Sequence, residues 1–462
     1  MSRALLAMLA LGATACNLSS INGSSALPAG TVDPNSFHTP AGAMALYEGA
    51  IYTFQYTPEH LTTGAGGTIS QTANGAFVDY MLTSGLISDE LQAGNLGGPP
   101  SSYYPDGAQF GDSLDARALP EGVNAPGVYL GLQGVRAASS EAIGALTAWD
   151  PGSPPALRGH LMVLRGYAEI MLADLFCSGV PLSTLDFSGD YTYEPGSTTS
   201  QIYRAAIAQF DSAVTLVGDS ARLLNLARVG KGRALLDLGQ FASAAQAVGA
   251  VPDNFAYQFP VDWSGGNTDG KSIFSTAVTV GATVADQEGI NGLPFRSSGD
   301  PRSASAPAPT GPNTFGQPQY SAVKYGGSVL GVTPITVADG IEARLIEAEA
   351  AMQAGDYATW LSKLNRARLL AADTLPPLTD PGIDTARVSL TFSERAYDLF
   401  LTGHRQGDLR RLVREYHRPQ ITVYPWGRYP SAVPGYGSNT NAPLPRTELN
   451  NPYFHGCLDR GA

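Results

Sequence analysis

Two stretches, RVGKGRALLDLGQFASAAQAVGAV (residues 228–251) and ARLIEAEAAMQAGDYATWLSKLNRAR (residues 343–368), repeat one pattern. Each passes from an Ala- and Leu-rich segment through a glycine–polar–aromatic turn into a second apolar-periodic segment. The turns are Gly239-Gln240-Phe241 and Gly355-Asp356-Tyr357. Glycine stops a helix by accepting a left-handed backbone that a Cβ resists, and three-and-four spacing gathers apolar residues on one helical face. Ala234, Leu235, Leu238, Ala244 and Val248 correspond to Ala348, Ala351, Met352, Trp360 and Leu364. The pattern predicts two helix–turn–helix hairpins.

The pattern resembles the tetratricopeptide hairpin, in which a small residue lets two helices approach. Two copies this far apart imply a solenoid with a large interruption. Residues 127–146, 156–176 and 198–217 add further amphipathic helices, the last with Thr198 and Ser200 near its capping position. Residues 60–125 and 252–335 are rich in Gly, Pro, Ser and β-branched residues and read as loops with a few short strands. The predicted fold class is mostly α: a tetratricopeptide-like α/α superhelix carrying two loop-rich insertions. Loops held out by a rigid frame are where binding concentrates.

Composition narrows the function. Apolar residues make up 43% of the 462, enough for a sizeable core, and the formal charge is −12. An acidic surface repels a phosphate backbone, so nucleic acid is not an expected partner. MSRALLAMLALGATAC has one cation, Arg3, then an apolar run and small residues before Cys16. That is a secretory leader, too short to span a bilayer. Cys16 stands where bacterial lipoproteins carry their acylated cysteine, although Ala13 replaces the usual Leu. Residues 1–15 are therefore expected to be a lipoprotein signal, 16–40 a flexible tether, and 41–462 one domain. In an oxidising compartment Cys177 and Cys457 remain as an even pair, either bridged or buried as two thiols.

A third stretch, ERAYDLFLTGHRQGDLRRLVR (394–414), carries Glu394, His404, Arg405 and Asp408 among apolar residues. Read as one helix, it places His404 and Arg405 within reach of Asp408. A His–Asp pair needs a nucleophile or metal beside it, and none is visible in sequence, so these groups read as ion pairs holding helices in register. This stretch is close to the "ER--EL--EGHR--DL-R" signature of the SusD/RagB family of outer-membrane nutrient-binding lipoproteins. LISDEL (86–91), RGYAEIMLADLFCSGVPLS (165–183), the two hairpins and APLPRTELNNP (442–452) are similar to other family motifs in the family's order. Thr402 and Gln406-Gly407 depart from the signature. The resemblance implies a lipid-anchored, non-catalytic protein without cofactor. It would bind an oligosaccharide or another nutrient and form the lid of a SusC-like TonB-dependent β-barrel transporter.

Other chemistry is thin. GGNTDGKS (265–272) satisfies the phosphate-loop pattern but lacks an apolar strand before it and a helix after it. The six histidines are scattered, with no metal-ligand spacing. Aromatic residues of the loop regions remain as candidate sugar contacts: Tyr103, Tyr104, Tyr257, Trp263, Phe295, Tyr320 and Tyr325. The tail VYPWGRYPSAVPGYG (423–437) is a candidate docking surface. Two rival readings stand beside the lid: an exported glycosidase with paired acids, and a tetratricopeptide-type adaptor that grips peptides.

Overall fold

A computed structural model describes residues 34–55, 76–93, 117–118, 126–185, 190–262, 282–308, 312, 318–325, 332–430 and 435–462. Its helices, in chain order, are α1 (Pro40–Gln55), α2 (Ala76–Ile87), α3 (Pro126–Trp149), α4 (Pro155–Leu175) and α5 (Thr199–Leu216). They continue as α6 (Ala221–Asp237), α7 (Phe241–Val248), α8 (Gly340–Gln353), α9 (Tyr357–Ala371), α10 (Asp384–Asp398) and α11 (Arg405–Arg414). From α3 to α10 each helix packs against the next, which is the mostly α, helical-repeat architecture the sequence predicts. No helix among the described residues is long and apolar enough to cross a membrane.

The local signals behave as their chemistry requires. Gly239 and Gly355 both adopt positive φ, +69° and +74°, and close the two predicted hairpins. Thr198 Oγ1 accepts from Gln201 N–H while Gln201 Oε1 accepts from Thr198 N–H, a reciprocal cap on α5. Trp360 is fully buried against Leu345, Ala348 and Leu364, and its indole N–H donates to Thr391 Oγ1 at 2.8 Å.

Two expectations are corrected. Residues 60–125 read as irregular, yet AFVDYMLTSGLI forms α2, whose residues are buried on nearly every side. A helix surrounded by protein has no polar face, so the three-and-four alternation that betrays surface helices is missing. The second correction concerns residues 394–414, which are two helices and not one. The chain breaks at 399–404, where Leu401 and Gly403 have φ of +50° and +85°. A Cβ on Gly403 would run into the ring of Tyr80, so the break lets α2 approach closely.

That break sends the charged groups to partners across the fold. Arg395 grips Asp408 through two bonds of 2.9 and 2.8 Å. Arg411 holds Glu349 at 2.7 and 2.8 Å, Asp237 at 2.7 Å and Asp408 at 2.8 Å. Arg405 pairs with Asp89 and not with Asp408, and Arg233 forks onto Glu342. His404 lies with Nε2 3.1 Å from Glu342 Oε1 and Nδ1 2.7 Å from Thr402 Oγ1. Burial opposes charge on Glu342, but the Arg233 guanidinium prevails and holds it at about 2. These pairs join α11 and the break before it to α6, α8, α10 and the residues just after α2.

The lattice of buried ion pairs should dominate stability. Arg411→Ala takes the bonded cation from Glu349 and Asp237 in the interior, while Asp408 keeps Arg395, and is expected to cost about 3–5 kcal/mol. Arg366→Ala, which breaks a largely exposed pair with Asp253, is expected to cost about 0–1 kcal/mol. Urea midpoints of the two variants measure the contrast, and equal midpoints would refute it.

Candidate binding face

The two insertions, far apart in sequence, meet on one side of the frame. Strand β1 (Leu91–Ala93), from the first, pairs antiparallel with Ala282–Val284 of the second, with Leu91 opposite Val284. Thr283 Oγ1 accepts from Tyr320 N–H at 2.8 Å, which attaches the pair Ser305–Pro307 and Tyr320–Ala322 to the same cluster. At its base the longest ladder, Ala256–Asp262 with Val332–Asp339, closes the second insertion and leads into α8.

The acidic pair of LISDEL bolts this cluster to the helices. Asp89 accepts both Arg405 bonds, at 2.6 and 2.9 Å, and also the Leu293 N–H at 2.9 Å. Glu90 is wholly buried and accepts the Leu401 N–H at 2.7 Å, from the break between α10 and α11. Burial pushes the Glu90 carboxyl up to about 8. Glu394 ties the second insertion down in the same way, holding Arg302 of that insertion and Arg368 of α9, each at 2.7 Å.

The aromatic tail completes the face. Arg117, at the end of the first insertion, lies 4.7 Å over the Tyr424 ring and donates to Pro425 O. Ile290 N–H donates to Trp426 O at 3.0 Å, Asn291 Nδ2 to Tyr424 O at 2.8 Å, and Tyr436 OH to Glu288 Oε1 at 3.0 Å. On this support Trp426 keeps 39% of its surface exposed and Ile290 74%. Arg296 stacks 4.2 Å over the half-buried ring of Tyr320. The face therefore offers flat rings, guanidinium groups and amides, the materials for stacking on apolar sugar faces and bonding to hydroxyls.

The candidate residues divide accordingly. Tyr257 lies in the core, its hydroxyl 2.8 Å from His160 Nε2; burial and the Arg222 charge lower that histidine to about 4. Phe295 is buried against Phe400, with ring centroids 4.9 Å apart. Tyr325 is buried and donates to Leu401 O at 2.7 Å. Tyr257 packs against the helices, whereas Phe295 and Tyr325 support the face from beneath. Tyr320 reaches its surface, while Tyr103, Tyr104, Trp263 and Cys16 lie outside the described residues, as does the phosphate-loop match. Trp426 and Ile290, exposed on this face, are not among the candidates read from sequence, although the Pro-Trp-Gly turn lies inside the tail read as a docking surface. Cys177 and Cys457 form a disulfide, which fixes the C-terminal segment to the end of α4. Among the described residues no group of three His, Cys, Asp or Glu side chains could hold a metal.

No protein-family model and no curated protein matches the chain. Solved structures do, and they show a SusD-like fold. A SusD superfamily protein from Bacteroides vulgatus is 14% identical, with a TM-score of 0.59 over 90% of this chain and 98% of that one. A SusD-like carbohydrate binding protein from the same species, also 14% identical, gives 0.52 over 80% and 83%. Surface glycan-binding protein A from Bacteroides thetaiotaomicron, in complex with laminarihexaose, is 11% identical and gives 0.62 over 91% and 99%.

Glu90 gives the face a pH signature. The folded protein keeps a proton that the unfolded chain releases near 4.5, so this contribution is full below about 4.5 and is lost as pH rises through about 8. Glu90→Gln keeps an acceptor for Leu401 and removes the loss. From pH 5 to 8, unfolding free energies are expected to shift in the variant's favour by up to about 1.4 kcal/mol per pH unit. A difference between variant and wild type that stays flat across this range would contradict the assignment.

Proposed function

We propose that this protein is a non-catalytic binding protein of SusD type, which captures an extracellular oligosaccharide and delivers it to a SusC-like TonB-dependent β-barrel as its lid. The observation that carries the reading is the convergence of both insertions and the aromatic tail on one side of a rigid frame, with Trp426 and Tyr320 at its surface. Solved proteins of the same fold are described as glycan-binding, one of them with laminarihexaose in place. Tyr103 and Tyr104 follow β1 in sequence, and Trp263 follows the ladder strand Ala256–Asp262; all three join Tyr320 and Trp426 as proposed ligand contacts. Lipid on Cys16 would hold the protein to the outer membrane, with residues 16–40 as tether and 41–462 as the domain. The chemistry is capture and release, with no bond broken.

The reading is tested with residues 17–462 and a panel of oligosaccharides, by calorimetry together with analysis of the sugars afterwards. Saturable binding with every glycan recovered intact is expected. Trp426→Ala should weaken binding about three- to tenfold, the worth of one stacked ring, without moving the melting temperature. Tyr320→Ala should weaken it by as much but also lower the melting temperature, because that ring packs against the core and Arg296. Cleaved products would instead establish the glycosidase, and retention of peptides with no sugar bound would establish the adaptor.

A further inference from the structure

We infer that Tyr191 and Tyr193 form a second carbohydrate-binding platform, separate from the loop face, that takes the apolar ring faces of a polysaccharide; this rests on the sugar-binding reading above. The two tyrosines stand on the hairpin between α4 and α5. Its strands pair Val180 with Ser197, Pro181 with Gly196, Thr184 with Thr192 and Leu185 with Tyr191. Side chains two apart in an extended chain share one face. Here the two rings stack on each other, 15° between planes with centroids 6.0 Å apart, and leave their outer surfaces bare. Asp190 through Pro195 are all exposed, Tyr191 at 64% and Tyr193 at 41%.

The support beneath these rings is rigid, although the rings themselves bury little. Glu194 N–H donates to Ser183 Oγ at 3.0 Å, and Asn451 Nδ2 donates to Glu194 O at 2.8 Å. Arg136, buried in α3, donates to Leu182 O at 3.0 Å and Ser183 O at 3.3 Å. The base of the hairpin is tied down by the Cys177–Cys457 disulfide and by Leu458 N–H donating to Ser178 O at 2.7 Å. A ring pair held in place but left bare has surface to offer a ligand at little cost in ordering.

The flanking groups select the ligand class. Asp190 and Glu194 flank the two tyrosines with carboxylates, which repel phosphate and suit sugar hydroxyl donors. The outward faces and edges of this stacked ring pair suit the C–H faces of a neutral glycan. Leu449 and Tyr453, on the C-terminal segment pinned by Asn451, are also exposed, so a protein covering hairpin and tail together is the competing occupant.

The test uses affinity electrophoresis in gels cast with laminarin, starch, xylan or mannan. At least one polysaccharide should retard the wild type, and Tyr191→Ala/Tyr193→Ala should weaken that retardation at least about threefold with an unchanged melting temperature. In a Tyr320→Ala/Trp426→Ala background, the residual retardation should disappear when the hairpin tyrosines are also replaced. Retardation equal to wild type overturns the platform and leaves the sugar-binding reading standing. A wild type retarded by no polysaccharide overturns the platform, and if oligosaccharide calorimetry is also silent the sugar-binding reading falls with it. Unchanged retardation with loss of a co-purifying β-barrel overturns the platform in favour of protein docking.

Discussion

Arg411 sits where α6, α8 and α11 meet, and its fork onto Glu349, with further bonds to Asp237 and Asp408, is the constraint the rest of the fold obeys. A guanidinium taken out of water tolerates little error in its partners, because each lost bond leaves a charge in a low dielectric. The apolar core would accept small sliding of one helix on another, whereas these pairs do not. Register is thus set by directional contacts and cohesion by burial. Asp89, Glu90 and Glu394 extend the same grammar outward, one carboxylate at a time, until the loop face is tied to the helices.

The hairpins were legible because their determinants are local. Gly239 and Gly355 must take positive φ, and that demand is written in single residues. The partners of Arg395 and Arg405 were not legible, because they depend on a break at Leu401 and Gly403 that a periodic apolar stripe conceals. Assigning Arg405 to Asp408 assumed a continuous helix; the true partner, Asp89, lies more than three hundred residues away in sequence. Helix α2 escaped for the opposite reason. Being buried on nearly every side, it carries no amphipathic pattern to read.

Aromatic residues expose the main limit of composition. A Tyr in a loop-rich segment can face a ligand or close the core, and its identity fits both roles. Tyr257 and Tyr325 find buried partners for their hydroxyls, so they serve the structure. Trp426 differs because its own carbonyl, held by Ile290, and that of Tyr424, held by Asn291, fix the turn with the Trp426 ring partly outside. That distinction belongs to tertiary packing.

The distribution of charge links the frame to the proposed cargo. Among the described residues nine arginines are buried against ten buried aspartates and glutamates, so the interior is nearly balanced. Among the described residues the excess of acid over base therefore lies outside this balanced interior. An anionic cargo would approach such a surface against a repulsive field, whereas a neutral polyhydroxylated one would not feel it. Recognition then falls to shape and stacking, which is what exposed rings on a stiff support supply. Nine buried arginines are thus balanced in number by buried carboxylates, and a surface with an acidic excess fits the uncharged cargo proposed above.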